Sequence, residues 1–150
     1  MKYLLRFSSY IFTAGVFCVF ITSPGAVWSA APDNNIEWNG ISHIWFQDRR
    51  PLCPISNEAF TARFQSYRND LASARIYLDD GGATSWITAS VAGRRGPYDI
   101  WEGTIPATSS PTDVSYFIEL IDGTDIDYLS ISGVSDGAPT DGGWALNFNT

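Results

Sequence analysis

The sequence predicts an all-β chain: an immunoglobulin-like antiparallel β-sandwich of seven to eight strands, preceded by a signal peptide. Three observations predict this fold. Short runs rich in β-branched and aromatic residues are punctuated at regular intervals by Gly, Pro, Asn and Asp. Helical periodicity is nearly absent. The composition is 45% hydrophobic, 15% aromatic and only 17% charged, which lets a chain bury enough apolar surface to offset its ordering entropy. A small closed barrel would satisfy the same strand count.

The leader comes first. Lys2 and Arg6 form a short positive region, and Phe7 to Ile21 is an uncharged apolar stretch. A membrane-spanning helix needs about 20 apolar residues. This stretch is shorter, is broken by Pro24-Gly25 and is followed by small residues, the layout of a signal peptide over residues 1–31. Cleavage after Ser29 puts Val27 and Ser29 at the two small-residue positions; cleavage after Ala31 also fits but leaves Pro32 just past the cut. The same stretch kept as a membrane anchor is the alternative. Removing it leaves one domain, residues 32–150, in a secreted or periplasmic setting.

The strands follow in order. Ile36 to Phe46 is a candidate edge strand. Ala59 to Tyr67 alternates, with Phe60, Ala62 and Phe64 on one face. Ala72 to Asp79 turns Ala74, Ile76 and Leu78 inward and Ser73, Arg75 and Tyr77 outward. Asp80-Gly81-Gly82 supplies the reversal into Thr84 to Val91. Gly93 to Pro97 is a turn with Arg94 and Arg95 at a solvated tip. Tyr98 to Ile105 stops at Pro106, and Ala107 to Asp113 is a polar loop. Val114 to Ile121 is the most apolar strand, and Asp122-Gly123-Thr124-Asp125 closes a hairpin into Ile126 to Ser132. Gly133 to Gly143 is a second polar loop before a last strand, Trp144 to Phe148.

Charge narrows the function classes. After the leader there are 16 Asp and Glu against 7 Arg and no Lys, a net charge of −9. Nucleic-acid binding by counterion release and binding to anionic membranes need the opposite sign. Cys18 departs with the leader, so Cys53 has no intramolecular disulfide partner; between Pro51 and Pro54 it reads as a small semi-buried residue. His43 is the sole histidine, too few for a zinc site and poorly placed for acyl transfer, and no cofactor or metal is predicted. The C-terminal aspartates, Asp122, Asp125, Asp127, Asp136 and Asp141, are chiefly turn residues, with calcium the lesser alternative.

The aromatics serve first as large core residues of a sandwich without a disulfide, and a surplus of them opens a binding role as the alternative. A flat ring can stack on the apolar face of a sugar while nearby carboxylates and amides take its hydroxyls. Trp101, in mid-strand, belongs to the core. Trp38, Trp45 and Trp86 are the candidate carbohydrate-binding residues: the first two lie outside the strongest strands, and the third lies just after a turn.

One run of motifs goes further. Ile36-Glu37-Trp38-Asn39-Gly40-Ile41-Ser42-His43, then Arg50-Pro51, Phe60-Thr61-Ala62-Arg63-Phe64, Asn69-Asp70-Leu71 and Ala74-Arg75-Ile76 are followed by Gly96-Pro97-Tyr98-Asp99-Ile100-Trp101-Glu102. Tyr116-Phe117-Ile118-Glu119-Leu120-Ile121-Asp122-Gly123 and Gly142-Gly143-Trp144 complete it. The run resembles the N-terminal Ig-like domain, similar to family-34 carbohydrate-binding modules, that precedes the catalytic barrel of α-amylase-family glycoside hydrolases of the neopullulanase, cyclomaltodextrinase and maltogenic-amylase types. The likeness covers Ile36 to Phe148. It implies a non-catalytic accessory module that packs on a catalytic barrel, with α-glucan (starch, glycogen or pullulan) as candidate ligand. The catalytic carboxylates of that family lie in the barrel, so no catalytic residue carries over. The rival readings are a structural or protein-docking Ig-like domain without sugar binding, and a small autonomous hydrolase, which would need a cleft with two carboxylates.

Overall fold

The computed structural model describes residues 32–107 and 113–148. The leader assigned to residues 1–31 lies outside the described residues. Among the described residues, no helix is long and apolar enough to cross a membrane.

The chain is all-β, with strands β1 (Arg49–Arg50), β2 (Phe60–Tyr67), β3 (Ser73–Asp79), β4 (Thr84–Arg95), β5 (Tyr98–Ile105), β6 (Asp113–Asp122), β7 (Asp125–Ser130), β8 (Gly133–Ser135) and β9 (Trp144–Asn147). Every pairing is antiparallel. The strands form one path in the order β1-β2-β5-β4-β3-β6-β7-β8, with β9 attached to β6. β4 is the corner. Its first half, Thr84 to Ala89, pairs with β3, and its second half, Ser90 to Arg95, pairs with β5 across a register shift between Val91 and Gly93. Such irregularities bend a strand and let it pass between layers. The sheet therefore curls, and its halves pack face to face. Phe60 of β2 meets Tyr116 of β6 with ring centroids 6.0 Å apart. Gly103 of β5 lies so close beneath Ile76 of β3 that an added Cβ would sit 2.5 Å from Ile76 Cδ1.

Period-two alternation fills the interior. Phe60, Ala62 and Phe64 of β2, Ala74, Ile76 and Leu78 of β3, and Val114, Tyr116, Ile118 and Leu120 of β6 form one cluster with Trp101, Trp144 and Phe148. Trp101 donates its indole N–H to Ser66 Oγ at 3.0 Å, which satisfies a polar atom that burial would otherwise leave without a partner. The path ends in two edges, β1 and β8, of two and three residues. Short edges offer little template for pairing with other chains.

Four expectations are corrected. Ile36 to Phe46 is not an edge strand: it holds a 3-10 turn at Trp38–Gly40, one bridge from Ser42 to Gln65, and the start of a short helix, α1 (Trp45–Asp48). The Ile36, Glu37 and Ile44 N–H groups go to side-chain carboxylates, and only Ser42 exchanges backbone hydrogen bonds with β2. Gly93 to Arg95 continue β4, because Arg94 pairs with buried Asp99 at 2.9 Å and Arg95 donates to Gln65 at 2.9 Å. The loop expected from Gly133 begins with a strand, β8. Cys53 is exposed.

The acidic residues at the β6–β7 turn have a structural task. Asp122 Oδ2 accepts the backbone N–H groups of Asp33 and Asn34, both at 2.9 Å, and of Asn35 at 3.4 Å. Asp125 accepts from Ile36 N–H at 3.0 Å, and Asp70 from Glu37 N–H at 3.1 Å. Gly123, at φ 61°, makes the turn that presents Asp122 and Asp125, whereas Asp70 comes from the β2–β3 connection.

Candidate functional site

The hairpin register builds an aromatic row on the outer face of the sheet. Asp79 pairs with Thr84, so Tyr77 pairs with Trp86; on the other side Tyr77 pairs with Phe117. Directly opposed residues share a face. The Tyr77 and Phe117 rings stack at 4.5 Å and 17°. Trp86 meets Tyr77 edge-on at 5.1 Å, and Tyr128 of β7 meets Phe117 at 5.9 Å. Four adjacent strands thus contribute one ring each.

These rings floor an open groove of about 460 Å³, walled by Ala138, Pro139, Thr140 and Gly142 of the β8–β9 loop and edged by Asp79 and Ser115. The lining combines ring faces with one carboxylate and the hydroxyls of Ser115, Thr140, Tyr77 and Tyr128. Trp86 is 43% exposed. Arg75 holds it in place: its guanidinium carbon lies 4.0 Å from the Trp86 ring centroid, and its Nε and Nη2 bond Glu119 at 2.5 and 3.2 Å. The bidentate pair fixes the arginine, and the arginine fixes the indole. Glu119 raises the Arg75 pKa, chiefly through that hydrogen bond.

The other two candidate tryptophans lie elsewhere, so the three do not form one site. Trp38 is 46% exposed, and its indole Nε1 donates to Asp127 Oδ2 at 2.5 Å. Burial raises the Asp127 pKa, and the Trp38 hydrogen bond opposes that shift. Trp45, also 46% exposed, lines a second groove of about 300 Å³ with Arg49, Ile131, Trp144 and Ala145. Tyr77, Phe117 and Tyr128 were not among the candidates from sequence. The signal that finds them is the register: counting back from the Asp80-Gly81-Gly82 reversal sets Trp86 beside the outward-facing Tyr77.

Beneath the second groove runs a buried hydrogen-bonded chain. Arg49 Nε donates to Tyr116 Oη at 2.7 Å; Tyr116 O–H is then free to donate to His43 Nε2 at 2.9 Å, and His43 Nδ1–H donates to the Arg63 carbonyl. This order assigns the Nδ1–H tautomer of a neutral imidazole. Burial lowers the His43 pKa, and burial pushes Tyr116 up to about 12. Both ring nitrogens of His43 are occupied, which leaves neither for proton transfer to a substrate.

A third groove, of about 320 Å³, is lined by Arg50, Arg63, Gln65 and Arg95 among others. Arg63 pairs with Glu102, and Arg95 bonds Gln65.

No family model matches the sequence. Among solved structures, the fold is similar to cyclomaltodextrinase, with a TM-score of 0.62 and 12% identity over 75% of this chain and 20% of that one. It is also similar to the cycloalternan-forming enzyme from Listeria monocytogenes, solved in complex with a pentasaccharide substrate, with a TM-score of 0.57 and 14% identity over 73% of this chain and 10% of that one. Both are α-amylase-family enzymes, the group that the motif run resembles. At these identities the likeness is one of fold, and this chain spans one fifth or less of each enzyme.

Proposed function

We propose that this chain is a non-catalytic accessory module of an amylase-like glycoside hydrolase, and that its outer aromatic face binds α-glucan. The observation that carries this reading is the Trp86–Tyr77–Phe117 row beneath the Asp79–Thr140 groove. Ring faces offer a sugar its stacking surface, and the carboxylate and hydroxyls offer partners for its hydroxyls. The likeness in fold to a small fraction of two such enzymes supports the accessory role. In this reading residues 1–31 are a leader, residues 32–150 are the secreted or periplasmic domain, the facing sheet halves form an Ig-like sandwich, and the partner is a catalytic barrel. The test is affinity electrophoresis of the purified chain in gels containing starch, glycogen or pullulan. Retardation in at least one gel, abolished by Trp86→Ala and retained by Trp38→Ala, is the expected result. Equal mobility with and without glucan in all three gels refutes glucan binding, and release of reducing sugar by the chain alone refutes the non-catalytic assignment.

Protein docking is the second reading. It is favoured by the exposed apolar residues Trp45, Phe46 and Ile131 near Arg49.

A further inference from the structure

Arg49 is only 6% exposed, yet no carboxylate among the described residues pairs with it. Its partners are neutral. Nε donates to Tyr116 Oη at 2.7 Å, Nη2 approaches the Ala145 carbonyl at 3.4 Å, and the rings of Trp45 and Tyr116 flank the guanidinium at 5.4 and 5.1 Å. The neighbouring Asp48 carboxylate accepts the Ile44 N–H at 2.6 Å and makes no ion pair with Arg49. Buried charges in proteins are normally paired. A fixed cation at the wall of an open groove, with donor capacity left over, is an incomplete ion pair.

The surround is apolar. Ile131, 63% exposed, and Trp45 line the groove with buried Trp144, and Phe46, 55% exposed, packs edge-on against Trp45 at 5.8 Å. A sugar would need several polar groups for its hydroxyls, and this groove offers few besides Arg49 and the Ala145 carbonyl. An acidic side chain standing on an apolar protein surface matches both features: its carboxylate completes the Arg49 pair, and its surroundings cover Trp45, Phe46 and Ile131. We propose that this groove is a docking site for a Glu or Asp carboxylate presented by an apolar protein surface. The proposal rests on the accessory-module reading only for the nature of the occupant: in the two enzymes that share this fold, most of the chain is further polypeptide. It does not involve the Trp86 groove.

The test is a titration of the ¹⁵N-labelled chain, following the Arg49 Nε–H and Trp45 Nε1–H signals. The probes are acetyl-Leu-Glu-Leu-amide, its Gln twin, glucuronate and glucose, each to about 10 mM. The Glu peptide is expected to shift both signals and to bind at least fivefold more tightly than the Gln peptide, with glucuronate no tighter than glucose. Arg49→Met is expected to abolish the preference for Glu. Because Arg49 is buried, a second variant guards against misfolding: Ile131→Glu places a carboxylate in the same groove from an exposed position and is expected to block the Glu peptide while the rest of the spectrum is unchanged. Equal binding of the Glu and Gln peptides, no shift with either, tighter binding of glucuronate than of the peptide, or undiminished peptide binding by Ile131→Glu overturns the proposal. None of these outcomes bears on starch-gel retardation, so the two readings fail separately.

Discussion

At the scale of single residues, the most informative is His43. It is packed edge-on against Trp144 at 4.4 Å and bonded through both ring nitrogens. Burial holds its pKa below the ordinary 6.5; the Arg63 carbonyl and Asp48 act against that shift, and Arg49 adds to it. The unfolded chain takes up a proton near pH 6.5 and the folded chain resists it, so the unfolded state binds more protons below that pH. His43 therefore stabilises the fold fully above pH 6.5, and its contribution falls as the pH drops until the folded pKa is passed. Asp70 and Asp127, raised by burial, contribute with the opposite sign nearer their ordinary 3.8. Urea unfolding of wild type and His43→Gln between pH 4.5 and 8 should show a stability difference that narrows on acidification below about pH 6.5. A difference independent of pH would contradict the assignment. Asp122 gives a second prediction. Replacing it with Ala removes a charged acceptor shared by three part-buried backbone N–H groups and should cost about 1.5–3 kcal/mol, the net worth of hydrogen bonds to a charged group. Asp122→Asn, which keeps one oxygen, should cost less.

At the scale of elements, how far the sequence could be read depended on whether its information was local. The β5 range, Tyr98 to Ile105, and the inward faces of β2 and β3 follow from period-two alternation and turn residues alone. The overrun of β4 through Arg95 does not: it depends on Asp99, buried across the strand pair and bonded to Arg94 and to the Asn69 N–H. The segment from Asp33 to Glu37 likewise takes its form from Asp122, Asp125 and Asp70, distant in sequence, and so no short-range pattern marks it as irregular. Trp86 was legible as a candidate, but its partners Tyr77 and Phe117 become visible only through register. The close approach of β5 to β3 yields a test of layer packing. Gly103→Ala places a Cβ 2.5 Å from Ile76 Cδ1 and should cost about 1–3 kcal/mol by overpacking. Ile76→Val removes that Cδ1, so the double variant should recover part of the loss. Strict additivity of the two losses in thermal unfolding would contradict the described contact.

At the scale of the whole molecule, the two sheet halves have different outer surfaces. The half built on β3, β6 and β7 carries the ring row and its arginine–glutamate brace, and the half built on β1, β2 and β5 carries Arg50, Arg63 and Gln65. Trp101 and Trp144 are buried, so two of the five described tryptophans stabilise the fold and three reach solvent. This division lets one spectrum report on buried and exposed tryptophans together. Binding of α-glucan on the outer ring row is tested most directly by titrating the ¹⁵N-labelled chain with maltoheptaose and following the indole Nε1–H signals of these five tryptophans. Trp86 Nε1–H is expected to shift progressively while Trp101 and Trp144 stay fixed, and Tyr77→Ala is expected to remove the shift without unfolding the chain. An unmoved Trp86 signal at saturating maltoheptaose, or shifts confined to Trp38 or Trp45, would contradict it.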